Sequence, residues 1–208
     1  MAAATLHTDA GASAPFIADR VETARLRFRM FTPDDLDALC ESTSDPEVMR
    51  YIGHGLPLSR EETWANLANL ISAFGRRGFG RWALEKKAGG RIVGYCGLSM
   101  GLAEVGVELA YMLARSEWGT GLATEAGRAC LRYGFERLDL ESIAGLTMHD
   151  NQRSRRVLER LGMKYVRAAR FHGFDCVWYS IARRDWSDDG SFYRVIQGSR
   201  QMTVGSRQ

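Results

Sequence analysis

Apolar residues along the chain recur with two periods, and the switches between them divide it into elements. In "ARLRFRMF", residues 24–31, Leu26, Phe28 and Met30 alternate with arginines, the period of a half-buried strand. "TPDDLDALCEST" follows, with Thr32 placed as a helix N-cap, Pro33 in the first turn, and Asp34 and Asp35 at the positive end of the dipole. "DPEVMRYI" predicts a second short helix, broken by "GHGLP". "SREETWANLANLISAF" predicts a third. There Ser59 and Glu62 form a capping box, and Trp64, Leu67, Leu70, Ile71 and Phe74 recur at helical spacing.

Beyond "GRRGFG" the period falls back to two. "RWALEKK" turns through "AGG" into "RIVGYCGLSM", a hairpin signal. "VGVELAYMLA" (105–114) is a further strand with Val107, Leu109, Tyr111 and Leu113 on one face. The next helix runs to around Glu136, with Leu122, Ala126, Ala129, Cys130 and Tyr133 along one side. "ESIAGLTM" reads as a strand, "NQRSRRVLERL" as a helix stopped by Gly162, and "MKYVRAARF" with "DCVWYSIAR" as a hairpin around "HGF". A strand–helix–strand crossover over 105–148 demands a parallel pair, whereas the hairpins are antiparallel. The expected class is α/β (α+β) with a mixed sheet.

The chain has 208 residues, 45% of them hydrophobic and 25% charged, which suits one globular domain with a real core. Its expected limits are 22–186, between a peripheral segment 1–21 and a tail 187–208. The tail carries one apolar patch, Phe192 to Ile196, suited to docking on the domain or on a partner. A net charge of +3 is too small to argue for nucleic acid, and Arg153, Arg155 and Arg156 read as a solvated cluster. Cys40, Cys96, Cys130 and Cys176 are too scattered for a CxxC metal or redox pair. Reduced thiols, no signal-like leader and no long apolar run together predict a cytoplasmic protein away from membranes.

One stretch breaks the local rules. In "EWGTGLATEA" (117–126), Gly119 and Gly121 stand where a helix begins, although Ser or Asp caps better. Without side chains there, and with only a methyl at Ala123, an anion can reach the unpaired N–H groups and the positive dipole end. No Gly-Lys-Ser/Thr follows, and the third dinucleotide glycine is missing, so neither a Walker loop nor a GxGxxG fingerprint is present. A tight turn for close packing is the alternative reading.

Taken together, "VELAYML", "WGTGLATEA" and "HDNQRSRRVLERLGMKYV" resemble the GNAT superfamily of acetyl-CoA-dependent N-acetyltransferases over about residues 22–185. The Rim-type branch, which acetylates ribosomal-protein N-termini, is the nearest in pattern. The resemblance implies a single-domain fold with a mostly antiparallel sheet of about seven strands and a splayed parallel pair at the cofactor site. It implies acetyl-CoA as co-substrate. Its pyrophosphate would lie on the backbone of Trp118, Gly119, Thr120, Gly121, Leu122, Ala123 and Thr124. Trp118 departs from the family's Gln or Arg. The resemblance also implies a pantetheine arm along Tyr111, Met112 and Leu113, with Asn151 reaching it. Asn151 is equally placed to cap the helix that follows.

Acetyl transfer to an amine requires the neutral amine. A lysine-like amine has a pKa of about 10.4 and an α-amino group about 7.7–8.0. Glu108, on the strand face opposite Tyr111, is the first candidate base, with His149 as the other. The family's acidic tyrosine would fall at Leu158, so Ser154 is the candidate partner for the leaving thiolate. Direct transfer needs no cysteine nucleophile and no metal. The expected acceptor is a protein N-terminus or a small amine, and a homodimer is compatible with the chain. Residues 45–76 and the hairpin around His172 and Gly173 are expected beside the acceptor, with Trp64, Tyr51, Phe79, Phe171 and Trp178 as candidate lining. A CoA-binding regulatory module without turnover is the alternative function.

Overall fold

The structure is a computed structural model, and it describes residues 20–101, 104–171 and 173–197. Its strands are β1 (Arg20–Thr23), β2 (Leu26–Arg29), β3 (Arg81–Lys86), β4 (Ile92–Met100), β5 (Val107–Leu113), β6 (Ser142–Met148), β7 (Lys164–Phe171), β8 (Phe174–Ala182) and β9 (Tyr193–Ile196). Its helices are α1 (Leu36–Thr43), α2 (Pro46–Met49), α3 (Arg60–Arg77), α4 (Leu122–Glu136) and α5 (Gln152–Arg160).

The strands form one sheet in the order β7-β8-β6-β5-β4-β3-β2-β1-β9. Among the described strands only β5 and β6 run parallel, and their register is held at a single pair, Glu108↔Ala144. β5 pairs with β4 over its whole length, from Val107↔Met100 to Leu113↔Gly94. Past Glu108 the edge of β5 that faces β6 therefore has no registered strand partner among the described residues. The connecting helix α4 makes a parallel return possible, as the crossover pattern requires.

The period of two sends alternate side chains into two cores. Trp82, Leu84, Cys96, Leu98, Leu109 and Leu113 pack on one face against α4 residues such as Leu122, Ala126 and Tyr133. Ala83, Tyr95 and Met112 pack on the other face, against Leu39, Leu67 and Leu70 of α1 and α3. Ser59 caps α3 as expected, accepting from Glu62 N–H at 3.2 Å while Glu62 accepts from Ser59 N–H at 2.7 Å.

Three local expectations change. The strand expected over 24–31 is β2 alone, Leu26–Arg29, because the chain turns at Ala24–Arg25, and an unexpected strand, β1, precedes that turn. Trp64, expected on the inner stripe of α3, is 47% exposed. Thr63 is buried in its place, where its hydroxyl meets that of Thr43 at 2.8 Å. Among the described residues the sheet has nine strands rather than about seven. β9, built from the apolar patch of the tail, pairs with β1 from Arg20↔Ile196 to Thr23↔Tyr193. The expected limits 22 and 186 thus lie inside the ends of the sheet.

Candidate active site

A cleft of about 850 Å³ opens where β5 and β6 part. It is lined by β5 from Glu108 to Leu113, by Leu146 and Thr147 of β6, by the loop entering α4, by α5, and by the segment from α2 to Gly53. Its size is that of a site for a substantial organic ligand. Helices α4 and α5 both start at it, so two positive dipole ends face one space.

The start of α4 has the geometry of an anion cradle. Gly119 has φ +75° and Gly121, the N-cap, φ +82°, a region that only glycine adopts at little cost. A Cβ at Gly119 would meet nothing within 4 Å, and one at Gly121 only an Arg25 guanidinium nitrogen at 3.6 Å. The space before the loop is open, and no side chain caps the helix. These residues fit a phosphate group. The loop is fastened from behind: Arg25 Nη1 donates to the Thr120 carbonyl at 2.8 Å, and Thr120 Oγ1 donates to the Glu117 carbonyl at 2.7 Å. Arg25 Nε in turn donates to Glu125 at 2.6 Å.

Trp118, Gly119, Gly121, Leu122, Ala123 and Thr124 line the cleft, but Thr120 does not. Its hydroxyl and carbonyl are committed to the protein, so only its N–H could serve a ligand. Tyr111, Met112 and Leu113 border the gap, though the Leu113 carbonyl already accepts from the Trp118 indole at 3.0 Å. Asn151 lines the cleft and also caps α5, its Oδ1 accepting from Ser154 N–H at 3.1 Å. Both roles anticipated for it are thus compatible, since the amide nitrogen remains as a donor.

Glu108 lies in the cleft on the α1–α3 side of β5. Burial raises its carboxyl above the usual range, while a hydrogen bond from Ser99 (3.3 Å) and the charge of Arg81 act against that rise. Ser154 lines the same cleft, and its hydroxyl meets that of Tyr111 at 2.8 Å. Tyr111 reaches it from the other face of β5, and burial pushes its phenol up, so the ring stays protonated. His149 is exposed, bonded to Asp150 at 3.1 Å, and outside the cleft lining. Of the aromatics expected at the acceptor, only Tyr51 lines the cleft; Trp64, Phe79, Phe171 and Trp178 do not. His172 lies outside the described residues.

Comparison with known proteins decides the family. The model of the acetyltransferase (GNAT) domain matches residues 25–164, well over half of the chain. The chain belongs to the GNAT acetyltransferase family.

Relatives of this acetyltransferase agree. YkkB of Bacillus subtilis, itself uncharacterised, is 35% identical over 157 residues, 73% of this chain and 88% of that one. The FsC-acetyl coenzyme A-N(2)-transacetylase of Aspergillus fumigatus is 29% identical over 189 residues, covering 80% and 77%. The crystal structure of a GNAT-family acetyltransferase from Bacillus anthracis superimposes with a TM-score of 0.70 at 25% identity, covering 79% of this chain and 99% of that one.

Sequence reasoning missed two features of the acetyltransferase's cleft. The Tyr111–Ser154 contact joins residues 43 positions apart and leaves no trace in spacing. Arg153 and Arg156, read as solvated surface, line the cleft together with Arg160. Their spacing of three and four along α5 places them on one helix face and was the available signal.

Proposed function

We propose that this acetyltransferase moves the acetyl group of acetyl-CoA directly onto a primary amine, either a protein N-terminus or a small-molecule amine. The observation that carries the reading is a single cleft containing both a side-chain-free helix start and the gap between β5 and β6. The first suits pyrophosphate and the second an extended arm with amide groups. The A. fumigatus relative supports an amine acceptor, since its name records N(2) transfer from acetyl coenzyme A. The Rim-type resemblance favours a protein N-terminus among the amines.

Acetyl-CoA, when bound, supplies an activated thioester. The chain's residues do the rest. Glu108 accepts the proton that the amine sheds, through a water, and the raised pKa set by its burial makes it a stronger base than an ordinary carboxylate. A free N–H on the open edge of β5 stabilises the developing negative oxygen. Ser154 hydrogen-bonds the departing sulfur, held in place by Tyr111 and by the α5 cap. A thiol pKa near 8.5 lets the thiolate leave without a strong acid. The setting is the cytoplasm, where a reducing environment keeps free cysteines such as Cys96 and Cys130 unpaired.

Calorimetric titration with acetyl-CoA and CoA, followed by turnover on a panel of peptides, polyamines and aminoglycosides, tests the proposal. Binding with thiol release on at least one amine is the expected result. Firm CoA binding with no turnover on any amine would instead favour the non-catalytic module.

A further inference from the structure

We infer that Arg153 is the cation that grips the CoA pyrophosphate in this acetyltransferase, held over Trp118 at the mouth of the cradle. The inference rests on the acetyl-CoA reading above and goes beyond it, because the motif that makes the cradle contains no cation. Its first position is Trp118, whose single donor, Nε1–H, is spent on the Leu113 carbonyl at 3.0 Å. The loop therefore offers a diphosphate backbone dipoles alone, without a compensating side-chain charge.

Arg153 supplies that charge from across the cleft. Its guanidinium carbon lies 4.6 Å from the Trp118 ring centroid, and both residues line the cleft beside Gly119 and Gly121. A guanidinium that stacks through its flat face keeps its in-plane N–H groups for an anion. Arg156 and Arg160 line the same cleft further along α5, but it is Arg153 that lies over Trp118 at the cradle, and two other arginines nearby are engaged elsewhere. Arg25 is bound to Glu125 at 2.6 Å, and Arg155 donates to the Tyr179 hydroxyl at 3.2 Å. Among the described residues Arg153 has no carboxylate partner. It also stands in the first turn of α5, which holds no acidic residue, so its charge opposes the positive end of that dipole. An anion between the two helix starts relieves both conflicts. Trp118 thereby becomes a platform for a guanidinium that the common motif would carry itself.

The test is calorimetric titration of CoA and dephospho-CoA into wild type, Arg153→Ala and Arg153→Lys, at several salt concentrations. Arg153→Ala should bind both ligands roughly tenfold more weakly, the scale of one charge-assisted hydrogen bond in a partly wet site. Its affinity should also fall less steeply with salt than that of wild type. Arg153→Lys should lie between the two, keeping the charge but losing the planar fork. Arg153 is exposed and its charge opposes the α5 dipole, so the melting temperature of the unliganded variant should be no lower than that of wild type. Wild-type affinity and salt dependence in Arg153→Ala would overturn the inference and leave the cofactor reading intact. A loss confined to CoA would assign Arg153 to the 3′-phosphate and also overturn it. Failure of wild type to bind either ligand would sink the cofactor reading, and the inference with it.

Discussion

Glu108 and Asp35 show two opposite outcomes of burying a carboxylate. At Glu108 burial dominates and the pKa is raised, with Ser99 and Arg81 too weak to reverse it. In its proposed role as base Glu108 must be deprotonated, so kcat/KM should fall as pH drops through that raised value. Glu108→Gln should remove this acidic limb and lower kcat/KM about 10²–10⁴-fold. A variant with the parental pH profile would move the role of base elsewhere. At Asp35 burial acts in the same sense, but the Arg29 guanidinium at 2.6 Å and the Thr32 N–H outweigh it and the pKa is lowered. Its stabilisation is full above the unfolded carboxylate pKa and is lost as pH falls through the lowered folded value. Asp35→Asn should therefore cost roughly 1–3 kcal/mol in neutral urea titrations. The gap from wild type should narrow as pH falls below the ordinary carboxylate range and through the lowered folded value.

At the start of α4 the backbone that begins the helix is also the backbone proposed to hold the pyrophosphate. Gly121→Ala forces an alanine to φ +82°, at a cost of about 1–2 kcal/mol in unfolding free energy. The added methyl comes to 3.6 Å from Arg25 Nη2, so the strain falls on the N-cap and its fastening, and CoA affinity should fall roughly tenfold or more if the N–H groups there hold the pyrophosphate. Denaturation and ligand titration separate the two effects, and unchanged CoA affinity in a folded variant would remove the cradle from the site. This element was legible in the sequence, because glycine where a cap belongs is a local anomaly. The fastening behind it was not. Arg25 reaches Thr120 from the turn between β1 and β2, 95 positions away, and an arginine beside a strand looks the same whether it is solvated or holds a distant carbonyl.

On the scale of the whole molecule, β9 closes the sheet at the end remote from β7. Its segment also brings Asp188 to Arg132 at 2.8 Å and Asp189 to Arg128 at 3.0 Å. Truncation after Trp186 should leave β1 as an exposed edge. The urea midpoint should fall and amide exchange over Arg20–Thr23 should accelerate. Equal protection in the shortened chain would show that β1 is held by β2 alone. The tail read as polar and peripheral because its apolar patch is only a few residues long. A four-residue strand gains its stability from the edge it meets, which no local pattern reveals.

The sequence by itself determined the order of strands from β2 to β8 with the helices between them, the parallel crossover, the glycine turn at the start of α4, and Glu108 on the face opposite Tyr111. Each of these follows from periods of two or 3.6 residues, or from the few residues that can turn or cap a chain. Tertiary structure decided how far β5 parts from β6, which aromatic residues reach the cleft, and that Tyr111 meets Ser154. It also turned a cluster of arginines that reads as ordinary surface into one flank of the site, with Arg153 laid on Trp118. Such contacts depend on how packed faces dock across long sequence separations, and spacing along the chain carries no record of that docking.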